Sequence, residues 1–113
     1  MTQKEINKFI DLLNKHLNNG GKHKEFFEKC DESITSCVKT DTKLKRLDFT
    51  KLNLKGIRFE GVDLSVIDFS NSDLRNSEFI NVKLSNAIFD RVKLHDADFL
   101  DVKMNYTRFN NAK

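Results

Sequence analysis

From Leu44 onward a large apolar residue returns at every fifth position: Leu44, Phe49, Leu54, Phe59, Leu64, Phe69, Leu74, Phe79, Leu84, Phe89, Leu94, Phe99, Met104 and Phe109. A period of five fits neither the 3.6 of a helix nor the 2 of a flat strand. Two residues before each member stands a second, smaller series: Leu47, Leu52, Ile57, Val62, Ile67, Ser72, Ser77, Val82, Ala87, Val92, Ala97, Val102, Thr107 and Ala112. The positions between are mostly Asp, Asn, Lys, Arg, Ser or Gly. Two inward positions, two apart, describe a short extended piece. The other residues must turn the chain before the next block can point inward. Regularity of this kind specifies a repeat architecture, and short strands joined by regular corners build a β-helix of stacked coils.

The central series alternates Phe with Leu or Met, a period of ten. A three-sided coil would repeat every fifteen residues and stack Phe49 on Leu64. A four-sided coil repeats every twenty and stacks like on like. Phe49, Phe69, Phe89 and Phe109 then form one column, and Phe59, Phe79 and Phe99 the opposite one. Leu44, Leu64, Leu84 and Met104 face Leu54, Leu74 and Leu94. From Ile67 onward, Phe-centred blocks mostly carry the smaller partners, as close packing at fixed volume requires. The first coil, with Leu47, Leu52, Ile57 and Val62, is bulkier and is expected to be wider where it meets the N-terminal segment.

Blocks such as "VDLSV", "SDLRN" and "ADFLD" resemble the pentapeptide-repeat family, whose repeat is loosely A-(D/N)-L-x-x. The resemblance covers residues 44–113 and not residues 1–43. It implies a mainly β fold: a right-handed four-sided β-helix, a pentapeptide-repeat solenoid of about 3.5 coils and about 17 Å in height. The family favours Asp or Asn just before the central residue, whereas Arg58, Lys83, Ile88, Lys93, Lys103 and Arg108 stand there in this chain. Their expected partners are acidic groups one coil away, such as Glu78 for Arg58 or Asp63 for Lys83.

Residues 1–43 are expected to be an N-terminal α-helical capping segment, and residues 44–113 the β-helix. Ile6, Phe9, Ile10, Leu13 and Leu17 recur at helical spacing over residues 3–18. Thr2 and Glu5 form a T-x-x-E capping box, and Gly20-Gly21 supplies the stop. Residues 22–43 leave two readings open. Phe26, Phe27, Cys30, Ile34, Cys37 and Val38 suit a second helix, while Ile34 lies in the five-residue register, so residues 33–43 also suit an irregular first repeat. Cys30 and Cys37 lack a CxxC arrangement and read as reduced, partly buried thiols of an intracellular, cytoplasmic protein.

The charge balance narrows the function. The net charge is +3, with 8 basic and 7 acidic groups in residues 1–43 and 12 and 10 in residues 44–113. Neither part has the clustered excess of a non-specific nucleic-acid binder. Ten Phe against one Tyr and no Trp point to core filling rather than ligand stacking. No apolar run approaches 18 residues, so no membrane span is expected. His16, His23 and His95 fall in separate elements, no nucleophile can be paired with a base, and no phosphate-cradling glycine loop is present. These features predict no catalytic residue, metal site or cofactor.

What remains is surface. Lys55, Arg75, Lys93 and His95 fall on one wall, a candidate site for an anionic partner. Ile80 and Leu100 stack outward on another, a candidate apolar contact. Coil ends expose unpaired backbone and core side chains and need covering. The N-terminal helix suits one end; at the other, no capping helix follows Phe109. Related family members dimerise by stacking their C-terminal coils, which implies a homodimer with Phe99, Met104 and Phe109 near its interface. The leading expectation is a non-catalytic protein–protein interaction module. The alternative implied by the family is a DNA mimic that binds DNA gyrase or topoisomerase and is linked to quinolone resistance.

Overall fold

The computed structural model describes residues 2–21, 39–41 and 46–113. The expectations for a second helix, for Cys30 and Cys37, and for Leu44 lie outside the described residues. Helix α1 spans Gln3–Asn18. Its capping box is complete. The Glu5 backbone N–H donates to Thr2 Oγ1 at 3.2 Å, and the Thr2 N–H donates to a Glu5 carboxylate oxygen at 3.0 Å. The helix ends in a Schellman arrangement: Gly20 N–H donates to the Leu17 carbonyl, Gly21 N–H to that of His16, and Gly20 takes φ +83°. Ile6, Phe9, Ile10 and Leu13 are buried on one face.

Strand β1 (Lys39–Asp41) pairs antiparallel with β2 (Arg46–Asp48), with Thr40 opposite Leu47. The two paired strands come from either side of the boundary expected at residues 43 and 44. Strands β3 (Arg58–Glu60), β4 (Glu78–Ile80) and β5 (Asp98–Leu100) form a three-stranded parallel sheet. Arg58 pairs with Glu78 and Glu78 with Asp98, a register of twenty. Single bridges repeat that register along three further ladders: Asn53–Asp73–Lys93, Asp63–Lys83–Lys103 and Asp68–Ile88–Arg108. Pairing at twenty, rather than fifteen, is what the Phe/Leu alternation predicts.

Backbone geometry explains how five residues suffice for each block. A positive φ recurs at Lys51, Gly56, Gly61, Val66, Asn71, Asn76, Asn81, Asn86, Arg91, Asp96, Asp101, Tyr106 and Asn111. Each lies two residues after a central apolar residue. At most of these corners the central carbonyl also accepts from the N–H three residues on, as Leu54 does from Ile57 and Phe69 from Ser72. A left-handed third residue is what such a turn demands, and Gly, Asn and Asp adopt it at low cost. The Asp or Asn before the central residue has its own task. Asp63 accepts from the Ser65 N–H at 3.0 Å, Asp68 from Ser70 at 2.8 Å, and Asn53 from Lys55 at 3.2 Å. Each caps an outward-pointing donor at the corner.

The core is two sets of stacked rings between aliphatic walls. Phe49, Phe69, Phe89 and Phe109 stack at centroid spacings of 5.3, 4.8 and 5.0 Å, and Phe59, Phe79 and Phe99 at 4.9 and 4.9 Å. The two columns meet edge to face, as Phe59 and Phe69 do at 6.1 Å. Such ring pairs add about 0.5–1.5 kcal/mol each beyond the area they bury. The polar members of the smaller series are satisfied. Ser72, fully enclosed, donates to the Phe49 carbonyl and accepts from the Leu52 N–H at 3.0 Å; Ser77 donates to the Leu74 carbonyl at 2.6 Å. Helix α1 lies against the first coil. Phe9 packs edge-on to Phe49 at 5.2 Å, the Gln3 amide bonds both the N–H and carbonyl of Arg58, and Asn14 donates to the Gly61 carbonyl.

Candidate functional site

The inward positions are consumed by packing, so chemistry must come from the outward ones. On the wall of Leu54, Leu74 and Leu94, the ladder Asn53–Asp73–Lys93 runs along the stack. Gly56 N–H donates to the Arg75 carbonyl and Asn76 N–H to that of His95, which sets Lys55, Arg75 and His95 one above another. The structure therefore brings the four expected cationic positions onto one wall. They are not equivalent. Arg75 grips Asp73 with two bonds, at 2.9 and 2.6 Å. That hydrogen bonding holds the Asp73 carboxyl down at about 2, against the opposing effect of its burial. The exposed His95 imidazole lies 3.2 Å from Asp96. Lys55 and Lys93 are exposed and form no salt bridge with a described carboxylate.

The corner beside this wall adds Lys51 and Arg91, which sequence reasoning passed over. They occupy the same corner two coils apart, and with Lys55 and Lys93 they border a groove of about 470 Å³ floored by Asn53, Asn71 and Asp73. The signal was present in the spacing. Lys51 and Arg91 are forty residues apart, and they are the two basic residues in a corner series otherwise dominated by Gly, Asn and Asp.

On the wall of Phe69 and Phe89, Asp90 is almost fully buried. It takes Arg108 Nε at 2.8 Å, a further bond from the same guanidinium, and the Asn110 N–H at 3.2 Å. The Arg108 bonds, followed by that of Asn110, lower its pKa below the ordinary carboxylate value. This cluster ties adjacent coils together. Arg58 pairs with Glu60 in its own strand, at 3.3 Å, in place of the Glu78 partner expected one coil away. Side-chain direction within a strand places residues two apart on the same face, and here that short reach wins.

Glu60, Ile80 and Leu100 are adjacent in the parallel sheet, with Ile80 half-buried and Leu100 59% exposed. At the end of the stack away from α1, Phe99 is half-buried while Met104 and Phe109 are exposed. The helix positions Ile6, Phe9, Ile10 and Leu13 are buried, and Leu17 packs partly buried against the core. Among the described residues no cluster of His, Cys, Asp and Glu suits a metal ion, and no helix is long and apolar enough to cross a membrane.

The repeating corners, the register of twenty and the capped outward donors find a counterpart outside this molecule. The family model of pentapeptide repeats matches in eight copies over residues 53–91, 67–99 and 77–113, together more than half of the chain. The chain belongs to the pentapeptide-repeat family. No curated protein matches it. Pentapeptide repeats imply a β-helix, and the parallel sheet and bridge ladders are the hydrogen-bonded faces of that architecture. Pentapeptide-repeat proteins are generally structural or interaction modules rather than enzymes. Lys51 and Arg91 stand where a left-handed corner prefers Gly, Asn or Asp, and both are exposed.

Proposed function

We propose that this pentapeptide-repeat protein is a non-catalytic, rigid protein–protein interaction module of the cytoplasm. Its ladders close into a right-handed, four-sided β-helix of about 3.5 coils, with α1 over one end and a second copy stacked on the other. The observation that carries the reading is the strip formed by Leu100 over Ile80. It is a flat apolar pair on a hydrogen-bonded sheet, rimmed by Glu60, Glu78 and Asp98. A rigid sheet presents such a strip without conformational cost, and an apolar centre with a polar rim is the usual anatomy of a protein contact. The test is affinity capture from the native host with the wild type and with Ile80→Glu/Leu100→Glu. A protein held by the first and lost by the second, then shown to bind as a purified component, supports the reading. Identical capture by both excludes this strip.

The charge distribution weighs against the DNA-mimic alternative. A wall carrying Lys55, Arg75 and Lys93, with Lys51 and Arg91 at the corner beside it, presents the wrong sign for a duplex surrogate. A supercoiling assay with purified DNA gyrase is expected to show neither inhibition nor protection from quinolones; either effect would reverse the choice.

A further inference from the structure

We infer that the corner groove between Lys51, Lys55, Arg91 and Lys93 binds an acidic, extended segment of a partner protein. The inference rests on the reading of this molecule as an interaction module and names the chemistry of one partner.

Four cations border one groove, and none of them forms a salt bridge with a described carboxylate. Asp73, the one acid among the described residues that line the groove, is already held by Arg75. Arg91 makes a hydrogen bond from Nε to the Asn71 amide oxygen at 3.0 Å, which steadies the side chain and leaves its outer nitrogens available. The groove therefore carries net positive charge, only partly offset by Asp73 and the nearby Asp90, on a scaffold whose backbone is fixed by bonds to the next coil: Lys51 N–H donates to the Ser70 carbonyl and Asn71 N–H to that of Asp90.

Geometry selects the kind of anion. Lys51 and Arg91 stand two coils apart, about 9.6 Å along the stack at strand spacing. Three residues of polyproline II rise about 9.3 Å and return a side chain to the same face. A segment with acidic residues at every third position thus meets one cation per turn. Nucleic acid suits the groove less well. Among the described residues that line the groove, none is an aromatic side chain on which a base could stack. The three strands of the neighbouring wall, one corner away, turn Glu60, Glu78 and Asp98 outward, with Arg58 their one cation. A duplex broad enough to reach past the groove would meet that acidic wall, whereas one extended chain occupies only about 5 Å of width.

The test uses fluorescence anisotropy with three labelled probes: a peptide with glutamate at every third position, the same peptide with glutamine, and a short DNA duplex. The variant is Lys51→Asn/Arg91→Asn. Asn is a residue the corner itself favours, so the variant removes charge without straining the fold. Lys83→Asn/Lys103→Asn, on a different wall, is the matched control. The expected result is salt-sensitive binding of the glutamate peptide that weakens about tenfold in the first variant and stays unchanged in the control. The glutamine peptide and the duplex should bind more weakly than the glutamate peptide. Absence of glutamate-peptide binding, tighter duplex binding, or equal loss in both variants would overturn the inference. Such a failure alongside capture that still depends on Ile80 and Leu100 removes this groove alone; failure of both removes the interaction-module reading as well.

Discussion

At the scale of single residues, the fold depends on two positions in each block of five, and they make opposite demands. The corner residue must tolerate a left-handed backbone. Val66 meets that demand poorly. It is β-branched, holds φ +60°, and is 38% exposed, so it gains little burial in return. Val66→Asn is expected to stabilise the protein by about 1 kcal/mol, raising the thermal midpoint by about 4–8 °C; a midpoint that falls would contradict the reading of this corner. The inward residue must instead be dry. Ser72 is fully enclosed and serves two backbone groups, the Phe49 carbonyl and the Leu52 N–H. Ser72→Ala leaves both without that partner, at an expected cost of about 1–3 kcal/mol in urea unfolding. Much of this was legible in the sequence, but unevenly. Gly56 and Gly61 announce corners by type. Asn71, Asn76, Asn81, Asn86 and Asn111 look like ordinary surface polar residues until their backbone angles are known, although they share the same five-residue phase.

Elements show a similar division. Helix α1 was readable because three independent signals agree: a capping box, a 3.6-residue apolar stripe and a glycine stop. The β1–β2 pair was not, since "KTD" and "RLD" carry too few residues for any period to register. Ion pairs were the least legible, because they depend on which of several nearby partners a long side chain reaches. Arg75 folds back on Asp73, two residues away, while Arg108 reaches eighteen residues back to Asp90 in the neighbouring coil. The Asp90 cluster makes coil-to-coil adhesion dependent on pH. Its folded pKa lies below the unfolded value of about 3.9. Its contribution is therefore complete above that value and is lost as pH falls through it toward the folded pKa. Asp73, held at about 2, follows the same sign over the window from about 4 to about 2. Asp90→Asn should lower the urea midpoint at pH 7, and the gap from wild type should narrow progressively below about pH 4; a constant gap would mean that the charge of Asp90 is immaterial. The helix has its own test. Phe9 is enclosed and meets Phe49 edge-on. Phe9→Ala is expected to cost about 3–5 kcal/mol and to increase binding of an apolar dye as the first coil is uncovered.

For the whole molecule, the two ends of the stack differ in a way that the ring columns make explicit. Phe69 lies between Phe49 and Phe89, and Phe79 between Phe59 and Phe99. Among the described residues, Phe99 and Phe109 each have a stacked ring on one side alone. Near them, Met104 is 40% exposed, Phe109 37%, and β5 has no strand partner on its outer edge among the described residues. At the opposite end, α1 supplies both the edge-on ring of Phe9 and polar bonds to the backbone of Arg58 and Gly61. A second copy stacked coil on coil, related by a two-fold axis, would give the last rings what the helix gives the first, and it would satisfy the strand edge that otherwise invites aggregation. Light scattering on the purified chain should then report twice the 13.2 kDa of one protomer. Met104→Lys is the informative variant, because Met104 is exposed and belongs to neither Phe column, so a charge there penalises a dry contact without breaking a ring stack. It should halve the mass while leaving the circular dichroism spectrum unchanged. A wild type that is monomeric at high micromolar concentration, or a variant that remains dimeric, would show that this end of the coil is not where two copies meet.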